Sequence, residues 1–327
     1  MNKIITSDSK SLDILVVLRA VAVLMVCFCH FGEALRDGHF FTQLFYYFEI
    51  YGKYGVHVFF VISGFVIPLS LFRGKYTLKN YPKFLLKRFL RLHPPYLAAL
   101  FLTLAIMFLS YRVRHEAFPE SGYSIFQSLF YIHAPADNPV FWTLLVEAQY
   151  YFFIGIFYIL MMQFPRISLL IFVPLLLLLS YSFIADYVKF CQYIVFFLVG
   201  TIGFFIYTKN GNFYINYFVL LSLFVYIFFI NDIPALVTSF FTLLAILTVK
   251  RNIPAIIQFP GIISYSIYLI HFPIGIKLIN FFRPKINPDY NWLLFIMTTI
   301  LCVLISWAFY LVFESYSEKL SKRIKYT

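Results

Sequence analysis

Residues 12–31 read LDILVVLRAVAVLMVCFCHF. A helix of this length and character crosses the hydrocarbon of a bilayer, about 30 Å at 1.5 Å per residue. Past the flanking Asp13, Arg19 and His30 stand inside it. Eleven residues at about 100° each make three turns plus roughly 20°, so both side chains share one face, about 16 Å apart along the axis. An ionisable group in a membrane helix is costly and turns toward a bundle interior or a wet cavity. Two on one stripe read as a polar path through the membrane rather than as a simple anchor.

The rest of the chain has the same character. Of 327 residues, 62% are hydrophobic and only 12% charged, with a mean hydropathy of +0.84; soluble domains are about 25% charged. The expectation is an all-α polytopic membrane protein with about ten transmembrane helices, at 12–31, 56–72, 94–111, 141–161, 167–185, 190–207, 213–230, 233–249, 262–279 and 292–313. No internal repeat is visible, and residues 1–327 read as a single transmembrane domain with no appended soluble domain. The flank Lys3, Asp8, Lys10, Asp13 is nearly neutral and no small-residue cleavage site follows Phe31, so the first run reads as a retained helix. An even number of spans puts both termini on one side. That side collects seventeen Lys and Arg against eight on the other, with Arg19 inside the membrane, which makes both termini cytoplasmic. The net charge of +12 sits mainly in short loops and points to topology and anionic lipid, not nucleic acid. Cys27, Cys29, Cys191 and Cys302 lie in apolar runs without metal-ligand spacing; no metal and no disulfide framework are expected.

Further polar residues are spaced along the runs. Glu33 follows one turn after His30 and is placed to pair with it. GVHVFFVISGFVI, 55–67, carries Ser63-Gly64, where small residues let helices approach closely, and His57 near one end. In RGKYTLKNYPKFLLKRFLRLHPPY, 73–96, cations fall at helical spacings after Pro82, which reads as an interfacial amphipathic helix. Arg88 and Arg91 on adjacent turns suit forked contacts to phosphate oxygens. In FWTLLVEAQYYF, 141–152, Trp142 marks an interface and Glu147 lies about 7–8 Å below it. That is a depth like His30's, so the two are expected in one cavity, the carboxylate orienting the ring. In GIISYSIYLIHFP, 261–273, Ser264, Tyr265, Tyr268 and His271 share a stripe; His271 reads equally as a cavity residue or an interhelical hydrogen-bonding group.

Five ordered pieces, Arg19 with His30, GVHVFFVISGF, KRFLRLHPPY, FWTLLVEAQYY and ISYSIYLIH, together resemble the acyltransferase family 3 of integral membrane O-acyltransferases, which includes bacterial O-antigen and exopolysaccharide acetyltransferases. The resemblance runs from about Leu12 to Glu314. It implies a multi-pass protein of the bacterial cytoplasmic (inner) membrane. Such a protein moves an acyl group from cytosolic acyl-CoA, most simply acetyl-CoA, to a hydroxyl of a carbohydrate acceptor at the outer face. Essential positions of the family map onto Arg19, His30, Arg88, Arg91 and Glu147. Thr143 stands where many relatives have serine, Ser315-Tyr316 follow Glu314 where relatives often have proline two residues on, and the hydrolase domain of some relatives has no counterpart.

The site expected from these readings has His30, Glu147 and Arg19 as catalytic residues. Arg88, Arg91 and Arg19 hold acyl-CoA, and Ser63, Trp142, Tyr151 and His271 line the substrate cavity. A sugar hydroxyl needs a base, and an imidazole titrates in the right range; whether His30 is that base or transiently carries the acyl group stays open. The alternative is a membrane transporter of a small anion or glycan intermediate, whose mark would be inverted repeats with broken helices. The acyl group, the acceptor sugar and the oligomeric state are not readable from the sequence.

Overall fold

The computed structural model describes residues 13–36 and 41–326; the flank residues Lys3, Asp8 and Lys10 of the orientation argument lie outside them. Among the described residues the chain is helical throughout, with no strand. The principal helices are α1 (Asp13–Leu35), α2 (Thr42–Gly52), α3 (Gly55–Arg73), α4 (Tyr81–Val113), α5 (Trp142–Gln163), α6 (Phe190–Thr208), α7 (Phe213–Ile230), α8 (Ile233–Thr248), α9 (Ala255–Ile262), α10 (Ser264–His271), α11 (Asn291–Phe309) and α12 (Ser315–Arg323). The expected apolar runs are mainly helical, and the one expected over 167–185 leaves the helix after Leu179. Eight segments among the described residues are long and apolar enough to cross a membrane, while Pro165–Leu179 and α8 are shorter. At about 22–24 Å these two fall below the usual hydrocarbon thickness of about 30 Å.

The stretch expected as a separate interfacial helix is instead the first half of α4, one helix of 33 residues that runs through Pro94 and Pro95. Inside a helical bundle, neighbouring groups satisfy the carbonyls that a proline frees. Continuity matters, because it carries Arg88 and Arg91 off the surface and into the bundle.

α3 and α6 cross in close contact. A Cβ on Gly64 would lie 2.1 Å from the Phe197 carbonyl oxygen, and one on Gly200 would lie 2.0 Å from that of Val61. The small residues therefore permit backbone contact, the usual device where lipid supplies no hydrophobic drive between helices. The Thr201 hydroxyl donates to the Gly64 carbonyl across the same contact, at 3.1 Å. α1 runs between α2, α3, α9 and α10, so its polar stripe faces protein.

Besides a π turn at Ser168–Phe172, three stretches near the polar face of α1 depart from regular α geometry. The helix predicted over 262–279 is broken at Ile263 between α9 and α10, and α10 continues into a π turn at Phe272–Ile276. α11 passes through another π turn, Tyr310–Glu314, before α12. Such turns interrupt the hydrogen-bond ladder and often mark working parts of a helix. Here they flank His271 and contain Glu314.

Candidate active site

Two cavities lie along the polar face of α1. The first, about 290 Å³, lies toward the end of the bundle where α1 begins and is lined by Arg19, Ser63, Arg88, Arg91, Thr143, Glu147, Tyr151, Ser264 and Tyr265 with apolar neighbours. The second, about 510 Å³, is lined by His30, Lys53, Tyr54, His57, Trp142, Tyr193, Asn231 and Asp232. Val56 and Tyr268 line both. The Tyr268 hydroxyl is fixed between Thr143 Oγ1 at 2.6 Å and the Val140 carbonyl at 2.8 Å. A hydrogen-bonded tyrosine and a valine thus form the partition.

In the arginine cavity three guanidiniums face one lining carboxylate. Glu147 accepts from the Tyr151 hydroxyl one turn on. Arg88 lies over the Phe84 and Tyr151 rings, 5.6 and 5.7 Å from their centroids. It reaches Ser70 Oγ at 3.3 Å, while its Nε is buried without a partner. Arg91 pairs with Glu318 of α12 at 3.0 Å. Arg19 closes no ion pair with any described residue; its electrostatic neighbours are Arg91, Glu314, Glu147 and Glu318. A guanidinium with unspent donors in a water-poor cavity is a ready partner for an anion.

Glu314 is a buried acidic residue beside the site that spacing did not single out. It is 1% exposed, and its Oε2 accepts from Ser266 N at 3.0 Å and Ser266 Oγ at 2.6 Å. A carboxylate from α11 thereby caps the first turn of α10, where backbone N–H groups lack helical partners. The signal available in the sequence was an acid at the end of an apolar run.

In the histidine cavity the arrangement differs from expectation in two respects. Glu147 does not meet His30: the two line different cavities. The carboxylate beside His30 is Glu33, whose Oε2 is 4.0 Å from His30 Nδ1. Nor does His271 line either cavity. It is fully buried, its ring centroid 5.5 Å from that of His30. Its Nδ1 faces the carbonyls of Tyr268 at 2.8 Å and Ile267 at 3.1 Å. Carbonyls only accept, so Nδ1 carries the proton, and the partnerless Nε2 keeps its lone pair. Of the other expected residues, Arg19, Arg88, Arg91, Ser63 and Tyr151 gather in the arginine cavity, and Trp142 joins His30.

Fold and site together define an integral membrane protein whose interior offers a cationic chamber on one side of a thin partition and an imidazole on the other. The chain matches the acyltransferase domain of family 3 over residues 11–311; it belongs to that family and is a membrane acyltransferase, transferring groups other than amino-acyl groups. Comparison with curated proteins and with solved structures gives no match.

Proposed function

We propose that the protein is an O-acyltransferase of a bacterial cytoplasmic membrane, with both termini in the cytosol. It takes an acyl group, most simply acetyl, from acyl-CoA in the arginine cavity and delivers it to a hydroxyl of a cell-surface or lipid-linked glycan in the histidine cavity. One observation carries the reading: the two chambers abut at Val56 and Tyr268, so a thioester on one side and an alcohol on the other need travel only the thickness of two side chains to meet. A chamber of about 290 Å³ is at the small end of ligand cavities. It encloses the thioester arm and leaves the bulk of the donor at the mouth. Arg19, Arg88 and Arg91 neutralise the donor phosphates.

His30 takes the proton from the attacking hydroxyl as its oxygen bonds to the thioester carbonyl carbon. The C–S bond then breaks, and the departing sulfur receives the proton back from the imidazolium. The Glu33 carboxylate, 4.0 Å from Nδ1, stands near enough to stabilise the charged ring. Glu147, held by Tyr151, belongs to the donor side.

The test is His30→Ala. Transfer of labelled acetyl from acetyl-CoA to glycan in membrane vesicles falls by a factor of about 10³, on the scale of losing a general base, while the protein still accumulates in the membrane. Undiminished glycan acetylation in that variant rules out His30 as the acid–base group.

A further inference from the structure

The histidine cavity holds more polar chemistry than an alcohol alone requires. Four segments converge at its mouth: the α2–α3 corner (Lys53, Tyr54, His57), the start of α5 (Trp142), α6 (Tyr193) and the α7–α8 turn (Asn231, Asp232). Trp142 and Tyr193 lie with ring centroids 5.0 Å apart. Such a pair offers an apolar wall to the C–H face of a pyranose.

The charges are unequal in what they have left to give. Both Asp232 oxygens are occupied: Oδ1 accepts from Ala235 N at 3.1 Å, capping α8, and Oδ2 accepts from the Tyr54 hydroxyl. The carboxylate is therefore a strut tying α8 to the α2–α3 corner. Lys53 closes no ion pair with a described residue; its Nζ leans 5.1 Å from the centroid of the Tyr54 ring. His57, stacked flat on Phe196 at 4.0 Å, keeps a buried Nδ1 without a partner. The chamber thus holds one carboxylate already fixed by two hydrogen bonds and one cation, Lys53, outside any ion pair among the described residues, beside an aromatic wall and within the cavity that contains His30.

From this juxtaposition we infer that the acceptor is a pyranose bearing an anionic group, with Trp142 and Tyr193 against its ring and Lys53 on the anion. This rests on the glycan reading above and narrows it. A carboxylate on the sugar and a diphosphate at its lipid linkage supply the same chemistry to Lys53.

The experiment measures binding and transfer separately. Full-length protein in lipid nanodiscs is titrated by calorimetry with three probes: a glucuronic acid disaccharide, its neutral glucose counterpart, and glucose joined to a short isoprenyl diphosphate. Acetyl transfer from acetyl-CoA to each probe is read by mass spectrometry. The wild type prefers a charged probe over the neutral one by about tenfold, the effect of one charge-assisted hydrogen bond. Lys53→Met brings that ratio to about one, and Lys53→Arg restores it. The charged probe that wins identifies the source of the anion. Equal binding of charged and neutral probes by the wild type, or a preference that survives Lys53→Met, overturns the inference. If transfer to the neutral sugar persists in that case, the acyltransferase reading stands without it. If no sugar binds, both fall.

Discussion

The arginine cavity and the histidine cavity share Val56 and Tyr268 and little else. One is small and lined by three guanidiniums. The other is larger, aromatic at its mouth and furnished with imidazoles. Arg19 and His30 come from a single helix, so the contrast arises from what packs against each half of α1. α4, α5 and α12 bring cations and their counter-carboxylates to one end. α6, the α2–α3 corner and the α7–α8 turn bring rings, a hydrogen-bonded carboxylate and one lysine outside any ion pair among the described residues to the other. Under the function proposed above, the enzyme couples two compartments and needs this asymmetry, because a polyanionic thioester and a sugar ask for different walls. It needs the partition too, because an open channel would expose the thioester to water.

The contrast can be broken first at Arg19. Arg19→Met is expected to raise the KM for acetyl-CoA by one to two powers of ten, since a hydrogen bond to a charged group is worth about 1.5–3 kcal/mol, and to leave the KM for acceptor in place. A shift confined to the acceptor would mean that the chambers have been assigned the wrong way round.

Glu314 tests whether the partition is held from outside both chambers. Glu314→Ala strips the acceptor from Ser266 N and Oγ and is expected to lower stability by about 2 kcal/mol, a typical loss for hydrogen bonds to a charged group. Glu314→Gln keeps an oxygen there and should recover most of it. Thermal unfolding in detergent reads both, and equal losses in the two variants would tie the effect to charge near Arg19 rather than to the cap on α10.

The smallest effect is expected away from both chambers, in the connection between α4 and α5. Burial alone would raise the Glu120 carboxyl, but hydrogen bonds from Ser124 and the Ala136 N–H, with His133 beside it, bring it below its ordinary value of 4.5. A carboxyl lowered by folding stabilises above its ordinary value, and that contribution is lost as pH falls from 4.5 through the lower folded value. The thermal midpoint should drop on going from pH 5 to pH 3, less so in Glu120→Gln, with activity at neutral pH unchanged. An identical drop in the variant would place the acid sensitivity elsewhere.

Much of the site was legible because one helix carried it. Arg19 and His30 share a face by arithmetic, and Arg88, Arg91, Trp142 and Tyr151 carried their chemistry openly. What misled was depth without direction. Glu147 is five residues from Trp142, so the two point about 140° apart around α5, and similar depth to His30 did not mean the same chamber. His271 shares a stripe with Tyr268, yet the break at Ile263 and the π turn after it set how that stripe meets α1.

The sequence by itself determined that this chain lives in a bilayer as helices and that α1 turns a charged seam inward, because hydrophobic length and helical period are local properties. Only the tertiary structure decided that the seam is two chambers, that Glu33 rather than Glu147 attends His30, and that Glu314 caps a helix remote in sequence. Those depend on the rotation of each helix about its axis, which is set by close contacts such as Gly64 against Gly200 and by buried hydrogen bonds between distant segments.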